Sequence, residues 1–152
     1  MKTKININGK DVEITLTPDQ VKQLTASENI IERVKTPQDA IEELGECDQD
    51  VIDYRLLQSI CGLSEHILNN QLAIIIVKAL NEGWISDWDN SNQSKYFVWW
   101  NMQTKTFSCH YDNYWNSYSN SCARLCLKSA TLCKHIGDSK ELVKVFKSFM
   151  LQ

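Results

Sequence analysis

Four residues in the C-terminal third of the chain have the chemistry of zinc ligands. Cys122, Cys126, Cys133 and His135 form a C-x3-C-x6-C-x-H run, and thiolate and imidazole groups are the usual ligands of structural zinc. Such sites pair close ligands on a turn, whereas Cys122 and Cys126 fall on a predicted strand, where four residues span about 13 Å. We therefore expect buried, reduced thiols with no bound metal, and no cofactor is predicted.

A second possibility is a cysteine nucleophile, because Cys109 stands beside His110 and such a nucleophile needs a neighbouring base. Adjacent residues of a strand point to opposite faces, so these two cannot hydrogen-bond to each other there. The sequence also contains no phosphate-binding glycine loop and no nucleophile elbow. No catalytic residue is predicted.

A third possibility is a calcium loop. Asp87, Asp89 and Ser91 have the spacing of its first three ligands, but the glycine expected at position six is Asn92 and the acidic residue expected at position twelve is Val98. A solvated loop is the better prediction for this segment.

The elements that position these residues begin with a hairpin and threonine-capped helices. Apolar residues alternate on both sides of Asn8-Gly9, a dipeptide typical of a type I′ turn. Thr17 and Thr36 each precede a proline, which predicts two helix starts, and Gly45 can end the second helix. From Ser64 to Gly83, apolar residues at three- and four-residue steps predict the main core helix.

The C-terminal half predicts a sheet and a closing helix. Strands are expected in KYFVWWNM, TFSCHYD and CARLCLK, followed by a helix that Ser129 caps and that Gly137 can interrupt. The predicted fold is α+β, with an N-terminal β-hairpin, two to three helices, a three-stranded antiparallel β-meander and a C-terminal helix. We expect one domain, residues 1–152, in which the hairpin at 1–17 is semi-independent.

More than half of the aromatic side chains lie between residues 95 and 115, and the strand register decides which of them share a face. A two-residue turn at Thr104-Lys105 places Tyr96, Val98 and Trp100 together on an apolar face. The candidate core residues of that face are completed by Met102, Phe107, Cys109 and Tyr111. The same turn sets Trp99 opposite His110 and Phe97 opposite Asp112 on the reverse face. A four-residue loop keeps the same two faces, whereas a three-residue loop exchanges them on one strand.

The reverse face is the candidate binding surface, because exposed tryptophans grouped with polar residues often mark a contact site. The candidate binding residues are Trp88, Phe97, Trp99, His110 and Asp112. The alternative is that the N-terminal hairpin or a loop covers Phe97 and Trp99, which would make them core residues.

Charge is divided unevenly between the two halves of the chain. Residues 1–90 carry 8 basic and 16 acidic side chains, a net charge of −8, and residues 91–152 carry 8 basic and 3 acidic, a net charge of +5. Lys140, Lys144 and Lys147 would form a basic stripe on the last helix, and cations beside aromatic rings suit single-stranded nucleic acid. The alternative, which we favour, is that the acidic and basic halves complement each other within one fold.

Three segments together resemble a family of small uncharacterised proteins from phages and prophages of gut Bacteroidetes. They are ERVKTPQDAIEELG, IIIVKALNEGWISDWDNSNQSKYFVWWNM and SCARLCLKS with the helix that follows, and they cover most of residues 32–150. The resemblance implies action in the cytoplasm of a bacterial host, but no reaction, cofactor or catalytic residue. At Cys122, Cys133 and His135 the chain departs from the family pattern, which further weakens a zinc site.

The candidate binding surface predicts a non-catalytic protein that binds another protein, and the resemblance implies that it is a phage accessory protein whose partner is a host factor. Binding of single-stranded nucleic acid is the first alternative and a virion component the second. The start MKTKININGK lacks the apolar run of a signal peptide, and no run of about 18 apolar residues follows it. We therefore expect a cytoplasmic protein with no membrane contact; the sequence does not indicate the oligomeric state.

Overall fold

A computed structural model describes residues 2–7, 10–15, 17, 29–112 and 123–151, and for residues 2–7, 10–14 and 109–112 it describes the backbone alone. The strands are β1 (Lys2–Ile7), β2 (Lys10–Thr15), β3 (Lys95–Asn101) and β4 (Thr106–Asp112). The helices are α1 (Ile30–Arg33), α2 (Pro37–Leu44), α3 (Gln49–Gln58), α4 (Glu65–Asn81), α5 (Ala130–Asp138) and α6 (Leu142–Met150). None of the described helices is long and apolar enough to cross a lipid bilayer.

The predicted N-terminal hairpin is confirmed. Strands β1 and β2 pair antiparallel, with Ile7 opposite Lys10, so Asn8-Gly9 joins them, although this turn itself lies outside the described residues. The helix expected after Thr17 also falls outside the described residues. Whether residues 1–17 form a semi-independent unit stays a prediction, as does the single domain 1–152.

Local sequence chemistry explains where helix α2 begins and ends. The Thr36 side chain accepts from Asp39 N at 3.2 Å while the Asp39 carboxylate accepts from Thr36 N at 2.8 Å, a reciprocal cap that satisfies two otherwise unpaired backbone donors. Gly45 ends the helix with φ at 82°, a conformation that glycine adopts without strain. Both predicted boundaries of this helix are confirmed.

Helix α4 is the centre of the core. Ala73, Ile75, Ile76 and Leu80 are fully buried in it, and the helix packs against α2, α3 and α6. Burial on several sides explains why its apolar residues extend around most of its circumference. Helix α3 was not predicted, because its apolar residues do not fall on one side of a helix. Two of them, Ile52 and Leu56, face solvent.

The aromatic hairpin pairs in a different register from the predicted one. The loop has four residues, 102–105, so Phe97 faces His110 and Trp99 faces Ser108. Asn101 favours this loop, because its Oδ1 accepts from Gln103 N and Thr104 N, both at 3.0 Å. The slip amounts to two residues, an even number, so the alternation of the two faces along β3 and β4 is unchanged. Met102, however, lies in the loop and is exposed, so its placement on the core face is wrong.

The predicted three-stranded meander is wrong: the described residues form two separate two-stranded sheets. Residues Ala123–Leu125 form a 3-10 turn, and Ser129 already caps helix α5. Only Cys126–Lys128 is left to extend, and it makes a single bridge, in which Leu127 exchanges both backbone hydrogen bonds with Tyr96 at 2.8 and 3.1 Å. The described part of the chain is α+β but mostly helical.

The predicted C-terminal helix is two helices. Ser139 separates them: its hydroxyl accepts from Leu142 N at 3.2 Å, which starts α6, and donates to Lys35 O at 2.9 Å, which ties the joint to the end of α1. Helix α5 packs on the aromatic hairpin so closely that a Cβ added at Gly137 would overlap the ring of Phe107. Glycine is required here for close approach rather than for backbone conformation.

Candidate functional site: a tryptophan-lined cleft

A cleft of about 430 Å³ opens between α3, the C-terminal end of α4, the segment after it and the 3-10 turn. We call it the tryptophan cleft. Its apolar lining comes from Ile74, Trp84, Ile85 and Trp88, and its polar lining from Asp50, Lys78, Asn81 and Arg124. Pockets of this size, mostly apolar with a few convergent polar groups, are typical of ligand sites.

The polar wall is organised around the buried carboxylate of Asp50. Its Oδ2 accepts from Lys78 Nζ at 2.8 Å, its Oδ1 is bound by the Arg124 guanidinium, and Gln71 Nε2 donates to its backbone oxygen at 3.1 Å. Lys78 is shared with Asp48 at 2.8 Å. A buried carboxylate needs such partners, because an unpaired charge in the protein interior is costly.

Asp48 places the Asp50 carboxylate at the start of α3. The Asp48 side chain is the N-cap and accepts from Asp50 N at 3.0 Å, so Asp50 lies in the first turn, where the helix dipole favours a negative charge. Burial alone would raise the pKa of Asp50, but the hydrogen bonds from Lys78 and Arg124 outweigh it and hold the pKa below its ordinary value. Asp50 is therefore ionised at neutral pH.

Asn81, at the end of α4, positions the segment that carries Arg124. Its side chain is buried and makes two hydrogen bonds, donating to Cys126 O at 2.7 Å and accepting from Lys128 N at 3.0 Å. An ion pair between Lys128 and Glu82 at 2.8 Å adds to this attachment. The segment after the 3-10 turn is therefore held to the helix whose Lys78 binds Asp50.

Lys95 contacts the ring of Trp88, one of the residues that line the cleft. The Lys95 side chain is fully buried, with Nζ 5.3 Å from the centre of the Trp88 ring. Nζ also donates to Asn90 O at 3.3 Å and Gln93 O at 3.1 Å. The loop that resembles a calcium site therefore directs two of its carbonyl oxygens at a lysine ammonium of this chain.

Of the five candidate binding residues, the three whose side chains are described have different surroundings. Trp88 lies in the tryptophan cleft and Trp99 is 42% exposed on the aromatic hairpin. Phe97 is buried, so its ring is not exposed on the hairpin surface beside Trp99. The backbones of His110 and Asp112 pair with those of Phe97 and Lys95, but their side chains lie outside the description.

The lysines of the predicted basic stripe lie on or just before α6 and differ in their contacts. Lys144 pairs with Glu141 at 2.9 Å, and Lys147 Nζ lies 5.6 Å from the centre of the Trp100 ring. Trp100 is buried, so its ring is not open to a stacked base. Lys140 is exposed.

The residues of the zinc-like run have other roles where they are described. Cys133 Sγ donates to Phe97 O at 3.1 Å and His135 Nε2 donates to Val34 O at 2.6 Å, while Cys122 lies outside the description. Cys126 and Cys133 are buried thiols, whereas Cys47 and Cys61 are free and exposed. Within the described ranges, no group of three potential ligands could hold a metal ion.

Sequence reasoning found Trp88 but missed the rest of the tryptophan cleft. Asp50 and Arg124 are 74 positions apart, and no local pattern connects them. Ile85 gave a signal that could have been used, since a large apolar residue between Trp84 and a polar loop has no place in a helical or strand pattern. It is 83% exposed, and a side chain of this type on a cleft rim is typical of contact surfaces.

Comparison with known proteins finds no matching family model, no significantly similar curated protein and no significantly similar solved structure. The functional proposal therefore rests on the geometry of the tryptophan cleft.

Proposed function

We propose that this chain is a non-catalytic binding protein that holds a segment of a partner protein in the tryptophan cleft. The observation that carries the proposal is the combination of two indole rings, the exposed Ile85 and the half-exposed Arg124 around one cavity. Tryptophan and arginine are the residue types that contribute most to binding at protein interfaces. A cavity bordered by an exposed apolar side chain can seat an anchoring side chain of the partner.

The titratable groups of the cleft favour binding over catalysis. The carboxylate of Asp50 is fixed between two cations and has a lowered pKa, so it is a poor proton acceptor at neutral pH. Burial raises the pKa of the Cys126 thiol to about 11, which keeps it protonated, and the thiolate is the nucleophilic form. Neither group has the properties of a general base or an activated nucleophile.

The setting of this role is proposed from the sequence resemblance. An accessory protein of a phage or prophage would act in the bacterial cytoplasm, and a host protein would be its partner. Single-stranded nucleic acid and incorporation into a virion stay alternatives, and no contact of the described lysines favours either of them over protein binding.

Site-specific photo-crosslinking tests the proposal. The photoreactive residue p-benzoylphenylalanine replaces Ile85 at the cleft rim, and in a matched control it replaces Met102, which is 64% exposed in the loop of the aromatic hairpin. We expect a crosslinked protein from position 85 in bacterial cells and none from position 102. In the Trp88→Ala background the crosslink at position 85 should weaken at least fivefold.

Equal crosslinking from both positions would indicate unspecific contact and would overturn the proposal, as would the absence of any crosslink at position 85. Circular dichroism of each variant establishes that the fold is intact. The mass of the crosslinked peptide then identifies the segment that enters the cleft.

A further inference from the structure

In the ion-pair network of the tryptophan cleft, the acidic side chains are much less exposed to solvent than the basic ones. The side chain of Asp50 is 6% exposed and that of Asp48 18%, whereas Lys78 and Arg124 are 43% and 53% exposed. The carboxylates are therefore the buried members of the network, and the cations form its surface. Although the four charges cancel, the side of the network that meets solvent is positive.

Arg124 is the cation with unused binding capacity. A guanidinium has five N–H donors in a planar fork, and in the described part of the chain the Arg124 side chain bonds only to Asp50. Lys78, by contrast, is shared between two carboxylates. The remaining donors of Arg124 can bind the two oxygens of a carboxylate, the arrangement that gives the strongest and most directional hydrogen bonds.

Asp50 can tolerate a second anion at Arg124. Its other oxygen remains bound to Lys78 at 2.8 Å, and its backbone oxygen to Gln71. A ligand that engages the outer edge of Arg124 therefore leaves no buried charge without a partner. Asp50 also fixes the guanidinium in place beforehand, which lowers the entropy lost on binding.

Apolar groups adjoin this anion-binding position. Trp84, Ile85 and Trp88 line the same cavity as Arg124, so a ligand with an apolar group next to its carboxylate would use both walls. We infer that the segment held in the tryptophan cleft is acidic, with one carboxylate bound by Arg124 and an adjacent apolar side chain packed on Trp84 and Ile85. This inference rests on the proposed function and adds the chemistry of the ligand.

A pair of small probes that differ in one group tests the inference on the full chain. The probes are N-acetyl-phenylalanine, which carries a carboxylate, and N-acetyl-phenylalaninamide, which does not. NMR detects the indole N–H signals of Trp84 and Trp88, assigned with single Trp→Phe variants, during titration. We expect the acid to shift both signals with a dissociation constant at least tenfold below that of the amide.

Two charge variants locate the effect. In Arg124→Gln the tenfold preference for the acid should disappear. Lys128→Gln is the matched control, because Lys128 is a similarly placed cation paired with Glu82 and does not line the cleft; it should keep the preference. Inorganic phosphate is the third probe, and we expect it to shift the two indole signals less than the acid, because it has no apolar group.

The results separate this inference from the proposed function. Equal affinity for acid and amide, or a preference that persists in Arg124→Gln, overturns the carboxylate assignment and leaves a cleft that binds apolar segments. Phosphate binding as tight as that of the acid overturns the peptide assignment in favour of a simple anion site. If neither organic probe shifts either indole, the inference fails, and the crosslink at Ile85 decides independently whether the proposed function stands.

Discussion

Asp50 and Arg124 form one ion pair, yet we predict that their substitutions have unequal costs. In Asp50→Asn the side-chain amide presents an N–H₂ group to Lys78 or Arg124, where the carboxylate accepted hydrogen bonds from both. Hydrogen bonds to charged groups contribute about 1.5–3 kcal/mol each, and half-exposed partners such as these recover part of that from water. We therefore expect Asp50→Asn to lower the free energy of unfolding by about 2–3 kcal/mol.

The substitution Arg124→Gln should cost about 1 kcal/mol or less, because Asp50 keeps Lys78 and the lost guanidinium is half exposed. Removing both cations in Lys78→Gln/Arg124→Gln leaves the buried carboxylate without a charged partner, so this double variant should lose more than the sum of the two single losses. Urea unfolding followed by far-UV circular dichroism measures the wild type and four variants, namely Asp50→Asn, Lys78→Gln, Arg124→Gln and the double variant. A loss in Arg124→Gln that equals or exceeds the loss in Asp50→Asn would refute the view that Arg124 is the exposed, ligand-binding member of the pair.

Three further predictions concern packing and pH. Gly137→Ala should lower stability by about 1–2 kcal/mol, because overlap with the Phe107 ring outweighs the gain of about 1 kcal/mol in helix propensity; a more stable protein in urea unfolding would contradict this. Phe97→Ala should lower the free energy of unfolding by about 3 kcal/mol or more, because it removes a buried aromatic ring. Trp99→Ala should lower it by less than half as much, because Trp99 is 42% exposed; equal losses would place Trp99 in the core. The pKa of Asp50 in the folded state lies below its ordinary 3.8. The contribution of this carboxylate to the stability of the fold is therefore complete above that value and is lost as the pH falls below about 4. In acid unfolding curves, the stability of Asp50→Asn should decrease less steeply than that of the wild type.

The parts of the fold that the sequence predicts well are those that local chemistry determines. Helix α2 begins at the reciprocal cap of Thr36 and Asp39 and ends at Gly45, so each end is determined by residues close to it in sequence. The faces of the aromatic hairpin follow from alternation alone, and they survive the wrong loop length because the register slips by two residues. In each case the atoms that decide the outcome are near neighbours in sequence.

The parts that the sequence does not predict depend on contacts between distant segments. CARLCLK has the alternation of a strand, but Asn81 of α4 binds the backbone of Cys126 and Lys128, and the 3-10 turn at Ala123–Leu125 limits the extended portion to three residues. Phe97 alternates onto the polar face of the hairpin and is nevertheless buried. A pattern of period two identifies the face of a strand but not what packs against that face.

Ion pairs connect the acidic and the basic half of the chain, and they bear on whether the basic half binds nucleic acid. Arg124 and Lys128, from the basic half, pair with Asp50 and Glu82 of the acidic half, as expected if the halves complement each other. These ion pairs offset part of the basic charge within the fold, which weakens the attraction to a phosphate backbone that binds through cations and the release of counterions. Under the proposed function, Arg124 is a cation that one internal carboxylate, that of Asp50, positions for a second carboxylate, which the partner segment supplies.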